Sequence, residues 1–289
     1  MGMTMKDIIK LVTPPVFIHL AKQLQCERHP HVEWEYIPEG WAYSETHPEV
    51  KGWNVQDVLE TYKKKWPQFV AMVQGTVPLG IAHESSLTTN EEILSHNKMM
   101  AYAYALALAA HKKDHLTMLD WGGGIGHYYL LAQALLPDVE IEYHCKDVPV
   151  LCEYGAQLFP QQHFYTDERC FDRDYDFVLA STSIQYTEKW QPLLQRLSCA
   201  ASDYLYIANL PTVQEASSFV FIQRPYRYGY NTEYLAWCLN RTEFLQTAER
   251  TEMDLVREFV YGQQPFIHGA PEQNTYRGYL FRCISRGKT

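Results

Sequence analysis

The chain has 289 residues, 46% of them hydrophobic and 20% charged, which suits one large domain or a catalytic domain with a smaller appendage. Its net charge of −9, from 25 basic and 34 acidic residues, argues against nucleic acid as a partner, because phosphate binding relies on clustered Lys and Arg. Seven cysteines without a Cys-x-x-Cys pair or zinc spacing point to reduced thiols in a cytoplasmic protein, and no apolar run is long enough for a transmembrane segment.

The amino-terminal region, residues 1 to about 95, begins with an amphipathic stretch from Ile8 to Leu24, broken by Pro14 and Pro15. Packing on the body of the protein or on a second subunit suits that stretch, so a homodimer is an expectation. The rest of the region is rich in Trp, His and Pro and reads as short helices joined by ordered loops, a mainly helical cap. Lys63, Lys64 and Lys65 fall in a helical pattern and read as a solvated face. Thr88, Thr89 and Asn90, followed by Glu91 and Glu92, offer helix-start chemistry for a long Ala- and Leu-rich helix from about Ile93 to Ala110.

From Leu116 onward strands alternate with helices. Strands are predicted at Leu116 to Asp120, Val139 to Cys145, Gln162 to Tyr165, Tyr175 to Ala180 and Tyr204 to Asn209. Helices are predicted at Gly126 to Leu136, Val148 to Phe159, Glu188 to Ala201 and Arg241 to Arg250. Two last strands, about Leu255 to Tyr261 and Tyr276 to Ile284, lack a helical connection and read as an antiparallel pair at the sheet edge. The alternation predicts an α/β fold with a mostly parallel sheet and helices on both faces. Residues 96–289 then form the catalytic domain.

The chemistry concentrates where the first strand ends, in Asp120, Trp121, Gly122, Gly123, Gly124, Ile125 and Gly126. Glycines let the backbone turn sharply and approach a ligand without a Cβ in the way. The helix that follows presents free N–H groups suited to a carboxylate. A P-loop would need a Lys after the glycines, and none follows. A dinucleotide fingerprint would need a glycine at His127 or Tyr129, so both frames fail. The acid-x-Gly-x-Gly-x-Gly spacing matches instead the signature of Rossmann-like class I methyltransferases, with S-adenosylmethionine as cofactor. Asp120 would orient loop amides and meet the methionine ammonium.

A second carboxylate, Asp147, follows the second strand roughly twenty residues after the glycines, where ribose hydroxyls would lie. Its alternative role is to cap the helix that starts at Val148. Thr166 and Asp167, after the third strand, are placed to reach the adenine edge. Ser181, at the end of the fourth strand, would lie beneath the cofactor.

The strings Leu119 to Tyr129 and Tyr175 to Tyr186 resemble a bacterial family of class I S-adenosylmethionine-dependent methyltransferases, often encoded among surface-polysaccharide or secondary-metabolite genes. The resemblance continues through Gln223 to Tyr226, Asn240 and Arg241, and Gly269 to Gln273. It implies a seven-stranded sheet and S-adenosylmethionine, and leaves the acceptor open. Asp147 departs from the family's frequent Glu, a shorter arm for the same task.

Methyl transfer needs alignment of nucleophile and methyl group, exclusion of water and, for a protonated acceptor, a base. Gln185 and Tyr186 are candidates to touch the acceptor or the sulfonium, with core packing of Tyr186 and helix capping by Gln185 as the alternative. Residues 212–238 sit where a substrate lid is usual, and Arg224, Tyr226, Tyr228 and Tyr230 there suit an anionic or sugar-like acceptor. The same residue types suit an oligomer interface. His127 is the first candidate base and His96 the second, while His268 is a candidate acceptor contact. No metal is expected, for want of ligand spacing near the fourth and fifth strands. The expected function is O-methylation of a sugar or natural-product hydroxyl. An N-methyltransferase on a small amine and a non-catalytic S-adenosylmethionine-binding scaffold remain open beside it.

Overall fold

The computed structural model describes residues 32–81, 92–261 and 265–284. The stretch Ile8 to Leu24 and the helix-start residues Thr88 to Glu91 lie outside the described residues. The amino-terminal region contributes a strand, β1 (Trp34–Tyr36), a single helical turn, α1 (Tyr43–Thr46), and the 19-residue helix α2 (Gln56–Gln74). Val58, Leu59, Tyr62, Phe69, Met72 and Val73 recur at helical spacing in α2 and form its buried face.

Helix α3 (Ile93–Ala109) precedes a regular alternation. Strand β2 (His115–Trp121) leads to α4 (His127–Leu135), β3 (Glu140–Lys146) to α5 (Pro149–Leu158), and then to β4 (His163–Tyr165). Strand β5 (Tyr175–Ser181), α6 (Trp190–Ala200) and the 13-residue β6 (Ala201–Val213) follow. The carboxyl-terminal part holds β7 (Phe219–Gln223), β8 (Tyr234–Asn240), α7 (Arg241–Glu249), β9 (Met253–Val260) and β10 (Thr275–Cys283).

Strands β4, β3, β2, β5 and β6 lie side by side and parallel, and β10 runs antiparallel between β6 and β9. That seven-strand order, with its inserted antiparallel strand, is the Rossmann-like class I methyltransferase fold. The period-two pleat divides the core into two layers. Met118, Phe177, Tyr206 and Leu280 face α3, meeting Tyr102, Ala105 and Leu106. Their neighbours Leu119, Val178, Leu205 and Phe281 face the other way, onto Trp190, Leu194, Leu197 and Phe244.

Three more strands extend this sheet. The end of β6, at Thr212 and Val213, pairs in parallel with Leu239 and Asn240 of β8. Strand β7 is antiparallel to β8, and β1 is antiparallel to β7. Residues 212–238, expected as a lid, are therefore a hairpin built into the sheet. The reason is composition: β7 is buried along its whole length and β8 nearly so, each carrying too much apolar surface for a flap exposed to water. The carboxyl ends of β2, β3, β5 and β6 and the turn of this hairpin define the site.

Candidate active site

The glycine turn is shaped by its neighbours. A Cβ at Gly122 would sit 2.4 Å from Cβ of Ser183, and one at Gly123 would sit 2.5 Å from Oδ2 of Asp120. Gly122, Gly124 and Gly126 have φ of 76°, 63° and 98°, values that side chains resist. The turn is pinned at both ends: Gly122 N–H donates to the Lys146 carbonyl (2.7 Å) and Gly124 N–H donates to Oδ2 of Asp147 (2.7 Å).

Asp120 lies wholly buried under this turn, with Oδ2 accepting the Tyr143 hydroxyl (2.7 Å) and Oδ1 without a partner among the described residues. Burial pushes its carboxyl up to about 7. Asp147 is half-buried and keeps both carboxylate oxygens in use, Oδ1 accepting Val148 N–H (2.6 Å) and Oδ2 accepting Gly124 N–H. Burial outweighs these two bonds and raises its carboxyl above the ordinary value. Each oxygen still has a lone pair for a hydroxyl.

A cleft of about 220 Å³ opens beside the turn, lined by Trp121, Gly122, Lys146, Asp147, Val148 and Ser181, with Trp53 and Tyr62 facing them from the amino-terminal region. Its floor includes Thr182 and Ser183, and Leu151 and Tyr186 complete the wall. The Trp53 indole Nε1 and the Ser183 hydroxyl are buried there without partners among the described residues, so the cleft holds polar groups that a nucleoside would satisfy. The donor set fits S-adenosylmethionine: a carboxylate for ribose hydroxyls, a glycine turn for the amino-acid end, and aromatic faces for the base. Lys146 extends over the Trp121 ring, 4.8 Å from its centroid, and Trp121 stacks on Phe171.

A second cavity, about 120 Å³, adjoins the first. Trp34, Tyr228, Tyr230, Tyr234 and Tyr276 form aromatic walls, and Asn209 and Gln223 supply amides. Glu33, Glu92, Ser95 and Lys98 complete its polar lining. Thr182 and Tyr186 line both cavities, so the two meet between these side chains. A wider depression, lined by Glu33, Arg227, Phe266 and His268, continues outward from the second cavity.

Several expected contacts fall elsewhere. His127 is buried among edge-to-face rings of Tyr62, Trp66 and Phe69 and lines neither cavity, because the first turn of α4 faces α2. His96 accepts the Leu79 N–H at Nδ1 (3.2 Å) and is likewise absent from both linings. Arg224 reaches Glu35 (2.7 Å), the Val32 carbonyl (2.7 Å) and Glu233 (3.3 Å), tying β1 to the hairpin instead of facing an acceptor. Tyr226 donates to the same Glu233 (2.5 Å). Asp167 caps the turn Glu168–Phe171 and pairs with Arg169, and neither it nor the exposed Thr166 lines the cleft. Gln185 is fully buried and lines neither cavity, while Tyr186, Tyr228 and Tyr230 line the second cavity. His268 sits only in the outer depression.

Trp53, Tyr62, Thr182, Asn209 and Gln223 were not singled out by sequence. Asn209 carried a usable signal, a polar residue ending an apolar parallel strand as Asp120 does. Away from both cavities, Glu142, His144 and His163 bring ligand-type atoms within 4.8 Å of one another. The Arg173 guanidinium already occupies that cluster, 2.6 Å from Glu142 and 3.1 Å from Nε2 of His144.

No protein-family model and no curated protein matches the chain. Solved structures do. A Clostridium acetobutylicum S-adenosylmethionine-dependent methyltransferase aligns at 10% identity and TM-score 0.44, over 64% of this chain and 91% of that one. Magnesium protoporphyrin IX methyltransferase from Synechocystis, with SAH bound, aligns at 10% and 0.47, over 78% and 97%. The N-terminal domain of EvdMO1 with SAH bound aligns at 13% and 0.49, over 81% and 100%. The strand order and register described above define the fold.

Proposed function

We propose that this chain is an S-adenosylmethionine-dependent methyltransferase whose acceptor is the hydroxyl of a small molecule, such as a sugar or a natural-product intermediate. One observation carries the reading: a nucleoside-sized cleft at the glycine turn and an aromatic chamber meet at Thr182 and Tyr186. S-adenosylmethionine, when bound, would supply an electrophilic methyl carbon, which bonds to an in-line acceptor oxygen as its bond to sulfur breaks and the neutral thioether S-adenosylhomocysteine leaves. Asp147 would hold the ribose hydroxyls, and the turn from Gly122 to Gly126 would receive the amino-acid end. Trp53 and Tyr62 exclude water from above, and the chamber walls fix the acceptor's angle of approach. Glu33 is the first side chain to test as proton acceptor, since burial raises its carboxyl and it lines the chamber.

An amine acceptor is the second reading, favoured by two carboxylates, Glu33 and Glu92, beside tyrosine faces. The resemblance to a family encoded among polysaccharide and secondary-metabolite genes supports the hydroxyl. Buried free thiols at Cys145, Cys152 and Cys238 suit a reducing, cytoplasmic setting. Among the described residues no helix is long and apolar enough to cross a membrane. Calorimetry with S-adenosylmethionine tests the cleft, and methyl-labelled cofactor offered with hydroxyl and amine panels tests transfer. Failure of the cofactor to bind overturns the proposal; binding without turnover on any acceptor leaves a scaffold.

A further inference from the structure

We propose that Asn209 and Gln223 form a paired amide reader at the base of the chamber, selecting neutral acceptors that present a hydrogen-bond donor beside an acceptor. A ring with vicinal hydroxyls has that chemistry. The inference rests on the chamber being the acceptor site and names the class of molecule it takes.

Each amide is half used. Asn209 Nδ2 donates to Thr182 Oγ1 (2.7 Å), and its Oδ1 is buried with no partner among the described residues. Gln223 Oε1 accepts the Tyr186 hydroxyl (3.1 Å), and its Nε2 is buried with no partner among the described residues. Both residues are 3% exposed and both line the chamber. The unused atoms are complementary: one accepts and one donates. A buried polar atom left unsatisfied is costly, so a ligand that meets both regains what the empty site forfeits. An ammonium group satisfies only Asn209, and a carboxylate satisfies only Gln223. A vicinal diol satisfies both, because a hydroxyl donates and accepts.

The reader is fastened where transfer would occur. The partners that orient the two amides, Thr182 and Tyr186, are the residues shared by chamber and cleft. Thr182 and Asn209 also hold positive φ, 52° and 57°, just past β5 and at the point in β6 where its pairing with β5 stops. A β-branched residue resists that conformation, and here Thr182 N–H is held by the Ala208 carbonyl (2.9 Å). The walls are π faces of Trp34 and several tyrosines, which suit a ring. Glu33, which also lines the chamber, is paired with Arg227 (3.0 Å).

The test uses the full chain, with tryptophan fluorescence reporting ligand binding without cofactor and calorimetry reporting S-adenosylmethionine affinity separately. Catechol and methyl glucoside serve as neutral diols, with phenol, benzylamine and benzoate as controls. We expect at least one diol to bind about tenfold or more tighter than phenol, from one extra satisfied buried group. Asn209→Asp and Gln223→Glu should each erase that preference, the first also improving benzylamine binding, with a cooperative melting transition well above the assay temperature as the check on folding. Asp tolerates the Asn209 backbone, and Glu keeps the acceptor that meets Tyr186. The absence of any diol preference in the parent chain overturns the proposal, as does a preference that survives both substitutions. If S-adenosylmethionine fails to bind while the diol preference holds, the methyltransferase reading falls and the amide reader stands. If cofactor binds without a diol preference, the reader alone falls.

Discussion

The Tyr143 hydroxyl donates to Oδ2 of Asp120 across 2.7 Å, and both side chains are fully buried beneath the glycine turn. One hydrogen bond does not offset the lost hydration of the carboxylate, so its pKa rises to about 7. Below about pH 4 the group is protonated folded and unfolded alike, and contributes no pH dependence. Between about 4 and 7 the unfolded chain releases this proton while the folded chain keeps it, so stability falls as pH rises. His144 works in the opposite direction, since burial lowers its imidazole to about 4 and its contribution grows with pH up to about 6.5. Asp120→Asn keeps an acceptor for Tyr143 and removes one titration. Denaturant unfolding across pH 4 to 8 should show the parent chain losing stability relative to this variant, at up to about 1.4 kcal/mol per pH unit, levelling above 7. A pH-independent difference would contradict the assignment.

Two glycines with positive φ separate strain from crowding. Gly52 has φ of 69° and open space around its missing Cβ, whereas Gly122, at 76°, would press a Cβ onto Ser183. Gly52→Ala should cost about 1 kcal/mol, the backbone penalty alone. Gly122→Ala should cost about 2–4 kcal/mol by adding overpacking, and should weaken S-adenosylmethionine binding because Ser183 is driven into the cleft. Melting temperatures and calorimetry of the pair check this. Equal losses of stability, or an unchanged cofactor affinity in Gly122→Ala, would be the contrary result.

The turn and the parallel strands were legible because local rules determine them. Asp120, Gly122, Gly124 and Gly126 announce a tight strand-to-helix turn, and the apolar runs around Leu119 and Val178 announce buried strands. The hairpin of β7 and β8 was not legible. Phe219–Gln223 and Tyr234–Asn240 owe their strand state to pairing with β1 and with the end of β6, and those partners are distant in sequence. For the same reason Arg224 read as an acceptor contact, although Glu35 and Glu233 claim it. The three-residue β1 carries too short a pattern to read at all. Asn209 and Thr182 depend on backbone angles that no residue type announces.

Asp147 spans two backbone donors, Gly124 N–H and Val148 N–H, and so joins the glycine turn to the start of α5. Asp147→Ala removes the hydroxyl acceptors and frees both N–H groups. Its cofactor affinity should fall by about 1.5–3 kcal/mol, a factor of ten or more in Kd. Asp147→Asn retains one acceptor oxygen and should fall between the two. Calorimetry with S-adenosylmethionine and with adenosine alone should show the same loss, since the contact is to ribose. A loss confined to the full cofactor would place Asp147 at the amino-acid end.

Arg224 is the polar hub between β1 and the hairpin. Its guanidinium meets Glu35, Glu233 and the Val32 carbonyl while only 5% exposed, and Glu233 itself is 2% exposed. Removing the cation strands a buried carboxylate, whose remaining hydrogen bond comes from Tyr226. Arg224→Met should therefore destabilise the chain by about 3–5 kcal/mol. The double variant Arg224→Met with Glu233→Gln removes the stranded charge and should recover part of that loss. Neither Arg224 nor Glu233 lines the chamber, so the surviving folded fraction of both variants should bind acceptor probes as the parent does. Unfolding free energies and probe binding below the melting transition decide the matter. A selective loss of anionic probes in a fully stable Arg224→Met chain would return this residue to the acceptor site.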